Sequence, residues 1–445
     1  MPSQDSSAQP TAAVLFQNVR IFDGKSSMLS APANVLVRGN KVEKISAAPI
    51  TVDRNASTRI IDGGGRTLMP GLIDAHWHAT MAAIPLNDLL TADVGYLSLV
   101  AGQEAGNTLM WGFTSIRDLA GPSFGLKRAI DSGVIPGPRI WPSGAMISQT
   151  SGHGDFRMPH EVPKATCAPL SHGDVLGGGA IADGPDEVRL RAREQLRMGA
   201  SQLKLAAGGG IASDYDPIDV AQYTEAEFRA AVEAAENWGT YVTVHAYTPR
   251  AIQTAIRGGV KCIDHGHLID ETTAQLMAGA GIWLSLQPFL DNEYAHKIPN
   301  PAGRAKQLEV FAGTDIAYKL AKKYKIKTAF GTDILFDPKM TVHHGALLAT
   351  LARWYTAAEI LTMATSTNAE LLALSGPRNP YPGKLGLVEE GALADLLMVE
   401  GDPIADIQLV ADPAKNFVVI MKDGRISKNT VGAAKAGHRK TAVIR

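Results

Sequence analysis

The sequence predicts an α/β chain, a (β/α)8 TIM-like barrel over residues 68–382 with a small β-sandwich domain formed from both chain ends. Two observations carry this. Short apolar runs alternate with capped amphipathic segments through the middle of the chain, the rhythm of a parallel sheet with helical crossovers. Short alternating strands with Asp-Gly turns recur at both ends, and each set alone would expose a hydrophobic face.

In chain order, residues 1–12 read as a flexible or peripheral tail, as do residues 431–445. Residues 13–67 open the composite domain: Val14–Phe22 runs to Asp23-Gly24, and Asn34–Arg38 meets Lys41–Ser46 across Gly39-Asn40. Eight candidate barrel strands follow, namely Leu68–His78, Phe113–Asp118, Arg139–Ser143, Gln202–Ala206, Tyr241–Tyr247, Lys261–His265, Trp283–Gln287 and Lys327–Asp333. Helical segments separate most of them. Asp186–Met198 follows Pro185, a favoured first-turn residue. Thr224-Glu-Ala-Glu227 and Thr356-Ala-Ala-Glu359 are capping boxes that open two further helices. Residues 383–430 return to the composite domain through Ala394–Val399, Phe417–Lys422 and the Asp423-Gly424 turn.

Composition narrows the function. The 445 residues are 45% hydrophobic and 20% charged, as in a globular protein with a sizeable core. A formal net charge of -1 gives no electrostatic footprint for nucleic acid or an anionic membrane. No apolar run reaches the length of a membrane span. Cys167 and Cys262 are too few for a disulfide framework or a thiolate metal site, and Cys262 reads as a small core residue. The polar first dozen residues lack an apolar signal core, so location stays open between a soluble cytoplasmic chain and an exported one whose signal has been removed.

Barrel active sites are assembled at the C-terminal ends of the strands. Those positions hold His76 and His78 from the first strand, Lys204 from the fourth, His245 from the fifth, His265 from the sixth and Asp333 from the eighth. Side chains two apart on a strand point to the same side, so His76 and His78 converge. Four histidines and a carboxylate offer ligands for one or two divalent ions, and such donors suit zinc. A cationic Lys204 beside metal ions would be repelled; condensed with CO2 to a carbamate, it becomes an anion able to bridge two of them.

The set resembles the amidohydrolase superfamily over nearly the whole chain. The motifs are Asp74-Ala-His-Trp-His78, Leu203-Lys-Leu205, Val244-His-Ala246, Asp264-His-Gly266, Gly331-Thr-Asp333 and the return segments Gly391–Leu397 and Gly401-Asp-Pro-Ile404. Ser151-Gly-His-Gly-Asp155, His245-Ala-Tyr247 and His265-Gly-His267 are similar to the branch of metal-dependent dipeptidases and carboxypeptidases, which takes in prolidase-like and ochratoxinase-like enzymes and is related to imidazolonepropionases.

The resemblance implies that His76, His78 and Asp333 bind one metal and His245 and His265 the other, bridged by carboxylated Lys204. It implies two divalent ions of zinc type, a hydroxide between them as nucleophile, and Asp333 as catalytic base and acid. His153, Tyr247, His267 and His343 are candidate substrate contacts, Tyr247 for a substrate carboxylate and His267 alternatively as support for its neighbours. The expected reaction is hydrolysis of an amide bond in an N-acyl amino acid or dipeptide, releasing a C-terminal amino acid, with ochratoxin-type amides among the substrates. The alternatives are hydrolysis of a cyclic amide or a lactone, and, in a different class, a non-catalytic metal-binding scaffold. A homo-oligomer, up to an octamer, is implied on resemblance alone.

Overall fold

The computed structural model describes residues 13–52, 58–158, 160, 161, 164 and 170–432. Cys167 and both outer tails, residues 1–12 and 433–445, fall outside them.

The chain is α/β. One sheet is built from both ends: eight strands in the order Arg425–Asn429, Phe417–Lys422, Leu396–Val399, Thr67–Pro70, Ala13–Ile21, Ala33–Arg38, Lys41–Ser46, with Thr58–Asp62 also paired to Ala13–Ile21. Two-residue turns at Gly39-Asn40 and Asp423-Gly424 close its hairpins, with Gly39, Asp423 and Gly424 at positive φ as such tight turns require. Its interior is a cluster of Val, Ile, Leu and Met side chains including Val35, Leu68, Leu396 and Met398.

The run from Leu68 to His78 is not one strand. It breaks at Gly71: Thr67–Pro70 pairs with Leu396–Val399 in the end sheet, whereas Leu72–Trp77 pairs in parallel with Phe113–Asp118. The backbone hands over there, Gly71 N–H donating to Asp395 O at 2.8 Å and Leu72 N–H to Gly112 O at 3.0 Å. Arg139 reinforces the join with a paired contact to Asp395 at 2.7 and 3.2 Å and a third bond to Asp423 at 2.8 Å.

The middle of the chain forms two parallel sheets. Leu72–Trp77, Phe113–Asp118 and Arg139–Pro142 make the first. Gly179–Ile181, Met146–Ser148, Leu203–Ala206, Val242–Ala246, Cys262–His265, Trp283–Leu286 and Thr328–Phe330 make the second, in that order. Setting aside the short Met146–Ser148 and Gly179–Ile181 pair, these correspond to the eight expected strands, trimmed at their ends. Hydrogen bonds link both margins of the first sheet to the second. Gln202 Nε2 donates to Asp118 O at 3.2 Å and Trp141 O at 2.9 Å, and Ser201 N–H donates to Pro142 O at 2.8 Å. At the other margin Asn368 Nδ2 donates to Ile73 O at 2.7 Å and Phe330 O at 2.8 Å, and Asp333 N–H to His76 O at 2.8 Å.

The helices start where their caps place them. Both capping boxes form, opening Glu225–Trp238 and Ala357–Thr362, and Pro185 stands at the first position of Pro185–Met198. Glu225–Trp238 buries Phe228, Ala231, Val232 and Ala235 on the sheet; burying one side chain the size of Phe228 contributes roughly 2–3 kcal/mol. The lysine-rich run after residue 321 is the exposed end of Pro301–Lys323, and Cys262 is a buried core thiol.

Candidate metal centre

His76, His78, Lys204, His245, His265 and Asp333 all line one cavity of about 1120 Å³. Neighbouring imidazoles are packed ring to ring: His76 to His78 at 5.3 Å between centroids, His76 to His265 at 4.8 Å, and His265 to His245 at 4.4 Å. Asp333 Oδ1 lies 2.9 Å from His78 Nε2 and 3.2 Å from His76 Nε2, and its Oδ2 lies 3.9 Å from His265 Nδ1.

Strand geometry alone does not bring these groups together. Adjacent residues on a strand face opposite sides, yet both Asp264 and His265 reach the centre. His265 does so with φ of 82°, and Asp333 turns inward with φ of 53°. Left-handed backbone at non-glycine residues is uncommon and collects at functional sites. Gly331 serves the centre by its small size. A Cβ there would stand 2.4 Å from His76 Cβ, so only glycine lets the last strand lie this close to the first.

Asp74 locks the same seam from below. Fully buried, it accepts from His76 N–H at 2.7 Å, Thr332 Oγ1 at 2.6 Å and His344 Nε2 at 2.6 Å. Between His76 and His78, Trp77 points outward and stacks on His344 at 4.4 Å, with Phe113 on the other face of that ring at 3.5 Å.

Burial lowers the pKa of His76 and pushes those of His245 and His265 well below the ordinary histidine value, which favours neutral rings with lone pairs available to a cation. Burial works to raise the Asp333 carboxyl, but His76 and His78 outweigh it and hold the group well below the usual range. Asp333 is therefore held as an anion beside these rings. Among the described residues, the buried His78 Nδ1 has no partner. One atom each from His76, His265 and Asp333 lie within 4.8 Å of one another, close enough to share a cation. Buried imidazoles, a fixed carboxylate and a buried ring nitrogen without a partner among the described residues are a donor set that fits divalent metal.

Lys204 sits beneath this group and donates to Asp264 Oδ2 at 2.6 Å. Asp264 is not among the strand-end candidates because it precedes His265 by one residue. Arg117, wholly buried, donates to Asp264 Oδ1 at 2.6 Å. Arg117, a long cation near the end of the short strand Phe113–Asp118, is the signal that could have found this pairing. Gln287 bridges two candidates, its Oε1 2.8 Å from His265 Nδ1 and its Nε2 3.3 Å from His76 Nδ1.

The expected substrate contacts divide. His153 lines the cavity, its Nδ1 2.7 Å from Ser213 Oγ and its ring 4.1 Å from that of His245. Gly210 leaves room for it, since a Cβ there would be 2.0 Å from the ring. Tyr247 also lines the cavity, 4.8 Å from the His245 ring. His267 is instead fully buried behind Phe289, stacked on it at 4.7 Å with Nε2 3.0 Å from Gln287 O, and does not line the cavity. Of its two expected roles, support for neighbouring groups fits this position. His343 lies outside the cavity lining, half-buried against Tyr294; its neighbour His344 is the one turned inward, to Asp74.

A model of the amidohydrolase family matches residues 67–431. The chain belongs to that family. As an amidohydrolase it is a hydrolase acting on C–N bonds, of a family that is typically metal-dependent. Ochratoxinase of Aspergillus niger is 32% identical over 380 residues, covering 81% of this chain and 75% of the relative. Among solved structures, another amidohydrolase superposes with a TM-score of 0.85 at 35% identity, covering 94% of this chain and 99% of that one. A prolidase complexed with N-methylphosphonate-L-proline gives a TM-score of 0.85 at 32% identity, covering 94% and 100%. Among the described residues of this amidohydrolase, no helix is long and apolar enough to cross a membrane.

Proposed function

We propose that this amidohydrolase is a binuclear, zinc-type enzyme that releases a C-terminal amino acid from N-acyl amino acids or dipeptides, ochratoxin-type amides included. The observation that carries this reading is the convergence of four imidazoles, Asp333 and Lys204 on one cavity wall. His76, His78 and Asp333 would hold one ion, His245 and His265 the other, with carboxylated Lys204 shared between them. When bound, the ions bring a water pKa towards neutrality and polarise the scissile carbonyl.

The chain's own residues supply the rest. Asp333, held ionised by His76 and His78, takes the proton of the attacking water and returns it to the departing amine nitrogen. Ser213 occupies Nδ1 of His153, leaving Nε2 of that ring for the substrate. The Tyr247 hydroxyl binds the substrate carboxylate. Leu86, Leu97, Leu126, Phe156, Phe336 and Leu347 give the cavity an apolar wall for the acyl group.

The architecture of this reading is a closed (β/α)8 barrel over residues 68–382, joined to a composite β-sandwich from residues 13–67 and 383–430. The hydrogen bonds from both margins of the three-stranded parallel sheet to the other sheet support closure. It also includes a homo-oligomer, up to an octamer, for which light scattering is the direct check.

A panel of N-acyl amino acids and dipeptides, each with its C-terminally amidated counterpart, tests the substrate class. Free-acid substrates should be cleaved and the capped ones spared. Cleavage only of cyclic amides or lactones would overturn the carboxylate requirement.

A further inference from the structure

A protonated lysine carries three N–H donors. Lys204 is 2% exposed, yet among the described residues it makes a single hydrogen bond, 2.6 Å to Asp264 Oδ2. That acceptor is fixed without the lysine's help. Arg117 Nη2 donates to Asp264 Oδ1 at 2.6 Å, and Thr243 Oγ1 donates to Oδ2 at 2.8 Å. Arg117 is itself anchored, donating to Ala75 O at 2.6 Å and to Tyr241 Oη at 3.2 Å. Asp264 thus presents one remaining acceptor to Lys204 whatever form that side chain takes.

The two forms match this acceptor differently. An ammonium needs acceptors for three N–H groups, and the protein supplies one, Asp264 Oδ2, among the described residues. A carbamate nitrogen has one N–H and needs one acceptor. Its three substituents lie in a plane about 120° apart, so with the N–H on Asp264 the carboxylate carbon points away from Asp264. Lys204 borders the cavity together with His76, His245, His265 and Asp333.

We propose that Asp264 is a positioning residue for carboxylated Lys204: it accepts the single N–H of the carbamate and fixes the rotation that turns the new carboxylate towards the four histidines and Asp333. This rests on the carboxylation of Lys204 in the proposed function. In forming the carbamate the ammonium loses one proton to water, and the freed lone pair attacks the carbon of dissolved CO2. An N–C bond forms, one C–O π pair moves to oxygen, and a second proton leaves to water.

The test is carbon NMR of the full chain incubated with zinc and 13C-bicarbonate, comparing wild type with Asp264→Asn. The substitution keeps the shape of the side chain but turns an amide N–H group towards Lys204. We expect a carbamate signal in wild type and an occupancy about tenfold lower in the variant at equal bicarbonate, the effect of one hydrogen bond to a charged acceptor. An unchanged or stronger signal in D264N would overturn the proposal, because an Asp264 that merely pairs with the ammonium opposes carboxylation and its loss eases it. No signal in wild type would instead remove the carboxylation reading, and this inference with it. If D264N does not fold, the crystal structure of the zinc- and bicarbonate-loaded wild type decides. A carbamate nitrogen within hydrogen-bond distance of Asp264 Oδ2 supports the assignment, and one rotated away contradicts it.

Discussion

His76 Nε2 lies 3.2 Å from Asp333 Oδ1, so the first strand of the parallel sheets and the segment just after the last one meet at the candidate metal centre. The contact depends on backbone as much as on side chains: glycine at 331, the turned φ of Asp333, and Asp74 bonded to both segments.

Asp333→Asn removes the proton acceptor while keeping the shape. The expected loss in kcat is on the order of 10³-fold, in the range for general acid-base groups. Steady-state kinetics with metal content measured on the same samples separates this from lost metal. Full activity in a metal-replete variant would take Asp333 out of proton transfer.

Gly331→Ala forces a methyl group against His76. Overpacking of this kind costs about 1–3 kcal/mol. Urea denaturation should show that loss, and activity should fall further than the unfolded fraction accounts for, since the displaced ring belongs to the centre.

Tyr247→Phe removes one hydroxyl from the cavity. For substrates with a free carboxylate, KM should rise about tenfold with kcat little changed, as expected for one lost hydrogen bond to a charged group. An unchanged KM would assign carboxylate recognition elsewhere.

Glu104 gives a pH signature away from the centre. It is 5% exposed, and among the described residues its Oε2 accepts from Asn107 at 3.2 Å while its Oε1 makes no hydrogen bond. Burial raises its pKa from 4.5 to about 7. A carboxyl raised on folding contributes fully below the unfolded value, and that contribution is lost as pH rises through about 7. Glu104→Gln should therefore match wild type near pH 4 and exceed it at pH 9 by on the order of 3 kcal/mol. Urea melts at the two pH values give the difference; equal stability at pH 9 would show that Glu104 is solvated.

Much of the centre is legible because strand ends are recognisable. His76, His78, Lys204, His245, His265 and Asp333 each lie on or just after a short apolar strand, and all six line one cavity. Asp264 escapes that reading because strict alternation turns it away from the side of His265; the positive φ of His265 breaks the rule. His343 and His344 are indistinguishable in sequence, and only the turn of the chain after the last strand sends His344 to Asp74. The Pro70-Gly71 break is visible in the sequence, but not that it divides the run between two sheets. Both halves of Leu68–His78 are apolar, but their partners, residues 396–399 and 113–118, lie far away in the chain.

Metal stoichiometry coupled to turnover tests the central claim most directly. Purified protein is assayed for bound divalent ions and for amino-acid release from an N-acyl amino acid, before chelation, after it, and after zinc is returned. A binuclear zinc-type centre predicts near two ions per chain, activity lost with them, and activity restored with zinc. Undiminished hydrolysis by a metal-free chain would contradict it.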